Sequence, residues 1–418
     1  MKNRKGLAAV AACAMLACGS LAMAESPKSA LTLERPIMAQ ANAPRTPMMS
    51  LLDKAGAGSA LDNAGITVGG HVEVSWTDNF SDPAGNINVG RVFDFEHDDH
   101  TFNQLDLYVD KGVKASGSNF DLGGRMEWIW GGDARLIHAN GVFDHYGFPI
   151  FQGSPGTGDG PDEQFDPVQF YLQANLPVGN GLIVTFGKFV TLLGYETINP
   201  TTNPLYSHSY SFGYGIPFTH FGVMAKYGLT DNITASVAVV RGWEQAFEDN
   251  NDSHAYLGQI AYTSDNMDAY FNFITGPEQE DNEHDWRTVL NAVLVYRASD
   301  QLTLVADGVY GIESAAASNG DDAHWCGLAG YGIYKFSDMF SFVGRLEYFN
   351  DQDGSRGLGA TVYEATVGVN IHPLPGDEWG KGLVVRPELR YDWANHDIFD
   401  GGTDESQVTF GVDAIYAF

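Results

Sequence analysis

The sequence predicts an all-β protein: a transmembrane antiparallel up-and-down β-barrel of about 16 strands with a short N-terminal extension. Three observations predict it. Segments of strand length alternate in polarity, the connections between them alternate between tight turns and long acidic loops, and the last segment carries the same alternation to its final residue.

That last segment is QVTFGVDAIYAF, residues 407–418. Val408, Phe410, Val412, Ala414, Tyr416 and Phe418 share one phase, and Gln407, Thr409, Gly411 and Asp413 share the other. A period of two makes one strand face apolar and the other polar. Phe418, ending the apolar row, is the expected signal for the barrel-assembly machinery. Runs of the same kind occupy 66–76, 102–110, 119–130, 165–176, 181–190, 217–228, 232–243, 255–263, 267–276, 288–297, 301–310, 325–335, 340–350, 361–371 and 383–393. Each is near the length that crosses a bilayer as a tilted strand.

Short connections are built from Asp, Asn, Gly and Ser, as in PVGNG (177–181), TDN (230–232) and SDN (264–266). Those residues favour hairpin turns. Between them lie long acidic stretches: 77–101, 131–164, 191–216, 244–254, 277–287, 311–324, 351–360 and 394–406. A membrane barrel has tight periplasmic turns and longer outer loops.

The charges keep to the polar phase. Arg125 and Glu127 oppose Met126 and Trp128; Arg345 and Glu347 oppose Leu346 and Tyr348; Glu364 opposes Tyr363 and Ala365; Arg386, Glu388 and Arg390 oppose Pro387 and Leu389. An arginine facing lipid at the midplane costs about 2–4 kcal/mol, so these eight are the predicted pore-lining residues, facing a wet lumen. Sixteen strands leave room for an aqueous channel. Lys188 and Arg241 fall on the apolar phase at strand ends, where they are expected to reach lipid headgroups.

The N-terminus reads as a signal peptide over 1–24: basic MKNRKG, an apolar stretch from about Leu7 to Leu21, and Ala22-Met23-Ala24 before Glu25. Three of the 23 basic residues leave with it and none of the 53 acids, so the formal charge goes from −30 to −33. That balance argues against nucleic acid as a partner. Cys326 alone of the three cysteines remains, which excludes an intrachain disulfide and CxxC metal motifs. Residues 25–65 form a periplasmic extension, proline-rich at first, with Met48, Leu51, Leu52 and Ala55 at helical spacing. A short helix at the periplasmic mouth and a linker are both open readings. The barrel follows over 66–418.

Segment 191–216 differs from the other long connections, having one acid, Glu196, among Tyr, Ser, Asn and Pro. It joins the fifth and sixth strands and, by analogy with other large membrane barrels, is expected to fold inward as a constriction loop carrying Glu196, Tyr206 and Tyr210; a surface cap is the other open reading. His208 and Ser211 lie in it, but without the H-x-S-N-G pattern of a lipid hydrolase, so no catalytic residue is assigned. DNND (249–252) and DQDG (351–354) lack full calcium-loop spacing and read as solvated acids. No cofactor or metal is expected.

GKFVTLLGYETINP, NPLYSHSYSFGYGIPFTHFGV and VVRGWEQAFEDNN, together with RVFDF (91–95), FNQLDLYV (102–109) and GGDARLIHA (131–139), resemble the OmpL-like outer-membrane β-barrel porin family. The likeness covers essentially the whole barrel and is most specific over 186–244. Arg241 departs from it, standing where Asn is expected before Gly-Trp. The resemblance implies an outer-membrane porin of Gram-negative type. The expected function is passive diffusion of small polar solutes or ions, filtered by lumenal charges and the inward loop. Outer-membrane lipid and lipopolysaccharide are the expected surroundings, and a homo-oligomer is left open. A structural or adhesive surface barrel with no open pore is the alternative, and an outer-membrane hydrolase a third reading.

Overall fold

The computed structural model describes residues 45–144 and 162–418. The expected signal peptide and the proline-rich first half of the expected extension lie outside them. Among the described residues, sixteen strands close into one barrel. They are β1 Thr67–Asn79, β2 Asp99–Lys111, β3 Asp121–Gly131, β4 Gln164–Leu176, β5 Leu182–Val190, β6 Thr219–Gly228, β7 Ile233–Val240, β8 Ala255–Thr263, β9 Met267–Gln279, β10 Asn282–Arg297, β11 Leu302–Glu313, β12 Ala323–Lys335, β13 Phe340–Asn350, β14 Thr361–Ile371, β15 Leu383–Ala394 and β16 Ser406–Ala417. Every strand pairs antiparallel with its sequence neighbours, and β1 closes on β16 from His71↔Ala417 to Asn79↔Thr409. The backbone of Phe418 extends that seam, its N–H donating to Gly70 O at 2.8 Å.

The two faces are sharply divided. Leu346 is 66% exposed, while Arg345 and Glu347 on either side are 1% and 5%. A register slip of one residue would exchange these faces and put the charges into lipid, so the period of two holds the register.

Three expectations change. The stretch 277–287 is not a loop: β9 and β10 run on as a ribbon with Glu280 and Asp281 between them. Its pairs, such as Pro277↔Trp286, carry no apolar alternation for a sequence pattern to detect. Lys188 does not reach headgroups. Gly187, at φ +135°, interrupts the pleat just before it, and Lys188 is buried with Nζ 2.7 Å from Asp166 Oδ1. Arg241 lies past the end of β7 and pairs with Asp249 at 3.1 Å.

Two short helices precede the barrel, α1 Pro47–Lys54 and α2 Gly58–Ala64. Thr46 caps α1, its hydroxyl accepting from Met49 N–H, and Pro47 stands at the first helical position, where its missing N–H costs nothing. Gly65, at φ +70°, ends α2. Lys54 reaches across to Glu378 at 3.3 Å and lies over the Trp379 ring, tying α1 to the connection between β14 and β15.

The core sits inside the barrel. Phe93 from the β1–β2 connection, Ile137 from the β3–β4 connection, and Leu193, Ile198, Tyr210 and Phe212 from 191–216 join inward residues of the wall in one buried apolar cluster. Phe93 adopts φ +75°, strained for a non-glycine residue, and packs on Phe212 and His208 with ring centroids 5.8 and 5.0 Å away. This cluster occupies part of the lumen, where strand number alone suggested open water.

Candidate functional site: the lumenal wall and the segment that crosses it

Segment 191–216 leaves β5, crosses the lumen and climbs the inner face of β15. Along β15 every second residue faces inward, and each of these four holds the segment at a later point. Arg386 donates to the carbonyls of Pro200 and Asn203 at 3.0 and 2.7 Å. Glu388 accepts the N–H groups of Tyr206 and Ser207 at 2.9 and 3.1 Å. Arg390 donates to His208 O at 2.5 Å, and Asp392 accepts from the Tyr210 hydroxyl at 2.9 Å. Guanidinium groups thus take carbonyls, while Glu388 takes N–H groups and Asp392 a hydroxyl. These are charge-assisted bonds, stronger than neutral ones.

Neighbouring β13 adds a second grip. Glu347 accepts from Tyr210 N–H and Ser211 N–H, both at 2.7 Å, and from the Ser211 hydroxyl at 2.6 Å. Arg345 donates to Ser207 O at 2.6 Å, to Glu196 at 2.7 Å and to Glu364 of β14 at 2.8 Å. Glu196 also accepts from Ser209 N–H at 2.7 Å and from the Tyr331 hydroxyl at 3.0 Å. Burial favours the neutral acid, but Arg345, His208 and the Ser209 donors outweigh it and hold the Glu196 carboxyl below its ordinary range. The crossing is anchored on other strands as well. Tyr195 N–H donates to Asp307 of β11 at 2.6 Å, and Ile198 O accepts from Gln104 of β2 at 2.9 Å. The Tyr206 hydroxyl donates to Ser75 of β1 at 2.8 Å.

Six of the eight wall charges named from sequence are thus in one network with Glu196, Tyr206 and Tyr210. They are covered by the segment rather than by water, which a pattern of strand phases cannot reveal. Arg125 and Glu127 stand on another arc, bonded to each other at 2.8 Å and, through Glu127, to Gln169 at 2.6 Å. Asp392, Asp413, Ser75 and Arg91 were missed. Asp392 continues the alternation 386-388-390, and Asp413 lies on the polar phase of β16, so both were visible in the pattern. Arg91 was not, because only the inward fold of 80–98 brings it to Asp392 at 2.8 Å.

The motifs set aside earlier find structural uses. The Ser211 hydroxyl goes to Glu347, and His208 Nε2 lies 2.9 Å from Asn203 Nδ2. Asp351 is not solvated: it is fully buried and accepts the N–H groups of Arg356 and Leu358, both at 3.0 Å, closing its own loop. Among the described residues no cluster of His, Cys, Asp and Glu is arranged to hold a metal ion.

A closed barrel with an inward segment held by wall charges is a porin-like architecture. The chain belongs to the OmpL-like β-barrel porin family. The match is to the family described as "Putative beta-barrel porin-2, OmpL-like" and spans residues 65–418. This OmpL-like porin is an outer-membrane channel protein. No curated protein matches its sequence. Its fold is similar to that of the outer-membrane channel DcaP of Acinetobacter baumannii, with 14% identity over 84% of this chain and 97% of that one and a TM-score of 0.54. An anion-selective porin from Comamonas acidovorans has 13% identity over 84% and 99%, with a TM-score of 0.57. OprB of Pseudomonas putida has 12% identity over 91% and 100%, with a TM-score of 0.54. At such identities the likeness is one of fold alone.

Proposed function

We propose that the OmpL-like porin passes small polar solutes or ions by diffusion, and that segment 191–216 is the element that narrows the path. The ladder of bonds from Arg386, Glu388, Arg390 and Asp392 to successive points of the segment supports this reading. A free loop of this length would sample many conformations, whereas one held on both its N–H and C=O groups keeps a fixed aperture. In this reading Arg345, Glu347, Glu364, Arg386, Glu388 and Arg390 act on solute through the segment they position. Arg125 and Glu127 line the wall elsewhere, Phe418 addresses the assembly machinery, and the apolar outer phase meets lipid. A role as an enzyme has no assigned catalytic group.

Long-range selectivity then comes from the acidic loops at the outer mouth. Their potential reaches about a Debye length, roughly 8–10 Å in physiological salt and less in concentrated salt. Reversal potentials across planar bilayers should show a cation preference that is strongest in dilute salt and fades as salt rises. Anion preference in dilute salt would show that the lumenal arginines govern instead.

A further inference from the structure

Segment 191–216 is held by the wall, and a second element packs on its later half. This is the β1–β2 connection, of which Arg91, Phe93 and Asp94 are buried inside the barrel. Its inner turn is closed on itself: Asn88 N–H donates to Phe95 O at 2.7 Å, and Asn88 Nδ2 donates to the carbonyls of Asp94 and Glu96, both at 3.1 Å. One carboxylate fixes both the turn and the segment. Asp392 Oδ1 accepts from Arg390 Nε and from the Tyr210 hydroxyl, both at 2.9 Å. Its Oδ2 accepts from Arg91 Nη2 at 2.8 Å and from Gln407 Nε2 at 3.1 Å, and Gln407 also donates to Val89 O at 3.0 Å. The inward turn adds no pairing to β1 and β2, whose register runs from Thr77↔Asp99 toward Thr67↔Asp110.

The two elements meet closely. A side chain at Gly90 would come within 2.9 Å of the Tyr210 ring, and one at Gly213 within 2.5 Å of Val92. The Phe93 ring packs on those of His208, Phe212 and Phe218, with centroids 5.0, 5.8 and 6.3 Å away. A non-glycine residue keeps a φ of +75° only where its surroundings over-determine it, and such residues cluster at clamps and switches. The wall thus holds polar groups of residues 208–211, while the turn supplies apolar packing on the rings of 208–212. We propose that residues 88–95 are a second constriction element, in which Arg91 and Phe93 are positioning residues that set the aperture by pinning residues 208–213. This rests on the channel reading above. Without the Phe93 ring a void opens beside His208 and Phe212, both elements loosen, and the open cross-section widens.

The test uses the full folded protein in planar bilayers and liposomes, with heat-modifiability as the check on the barrel. Phe93→Ala and Arg91→Gln should each raise single-channel conductance by at least about 1.5-fold, following the wider cross-section. In liposome swelling, the rate for raffinose relative to glucose should rise with it. Rescue separates positioning from general stability. A Cβ at Gly213 would lie 3.3 Å from Val92 Cβ, near the roughly 3.5–4.5 Å spacing of a disulfide. Val92→Cys with Gly213→Cys, added to Phe93→Ala and Cys326→Ser, should return conductance to the wild-type value when oxidised and lose that rescue when reduced. Wild-type conductance in both Phe93→Ala and Arg91→Gln overturns the proposal while the channel stands. So does a pair that fails to cross-link, or a cross-linked Phe93→Ala that stays at the raised conductance. Should Phe93→Ala not assemble, Phe93→Leu, which keeps an apolar side chain, carries the same test. If the wild-type protein passes no current, the channel reading falls and takes this proposal with it.

Discussion

Strands β3 and β13 carry nearly the same local pattern, and the barrel uses it in two ways. Gly124-Arg125-Met126-Glu127-Trp128 and Gly344-Arg345-Leu346-Glu347-Tyr348 both place arginine and glutamate on the inner phase with apolar residues outside. In β3 the two charges satisfy each other at 2.8 Å, and Arg125 lies over the Tyr108 ring. In β13 they diverge: Arg345 reaches Glu196, Ser207 and Glu364, and Glu347 reaches three donors of residues 210 and 211. Inner phase decides only that a charge leaves lipid. What crosses the lumen above it decides whether it braces the wall or holds segment 191–216.

The largest expected effect separates these roles. Arg345→Met leaves Glu196 and Glu364 buried without their shared partner, a loss on the order of 3–5 kcal/mol. Chymotrypsin acting on the folded protein should then cut near Tyr206, Tyr210 or Phe212, which are buried in the native barrel, and single-channel conductance should rise. Arg125→Met should leave 191–216 protected, because Glu127 keeps Gln169 and the cluster stays within the wall. Equal cleavage in both variants would erase the distinction between the arcs.

A smaller effect tests the carboxylate side of the grip. Glu347→Gln and Glu388→Gln keep shape but replace an acceptor oxygen with an NH2 that meets a backbone N–H. Each should cost about 1–3 kcal/mol, the range for an unsatisfied buried donor. The segment would stay in place but loosen, which single-channel recording would register as added open-state current noise. Glu127→Gln, which holds no part of the segment, should leave the noise at the wild-type level.

Most of the barrel was legible in the sequence, because a lipid solvent imposes a period of two on every strand. The β9–β10 ribbon escaped for the complementary reason: beyond Pro277 it leaves any apolar alternation, and only hydrogen bonds define it. The inner phase of Arg345 or Glu388 was equally legible, yet their partners were not. Bonds such as Glu388 to Tyr206 join residues 182 positions apart, and side-chain phase says nothing about which loop turns inward. The composition of 191–216, poor in acids and rich in Tyr and Ser, was the one local sign of a segment destined for burial. Arg91 and Phe93 had no such sign, since RVFDF sits among acidic residues like any outer loop.

The smallest effect is one of acidity, and it again divides the two arcs. Glu196 is packed among Arg345, Tyr331, Ser209 and His208. Burial opposes its charge, but Arg345 and the other partners prevail, so its folded value lies below the ordinary 4.5. A lowered carboxyl binds fewer protons folded than unfolded. Its contribution is fully present above pH 4.5 and is lost as pH falls through the lowered value. Acidification through that window should release one anchor among many and give brief conductance fluctuations without unfolding the barrel. Glu196→Gln should abolish that response, with fluctuations already present at neutral pH, while Glu127→Gln should preserve it. A response that survives in Glu196→Gln would assign the acid sensitivity to another carboxyl and separate Glu196 from the grip of Arg345.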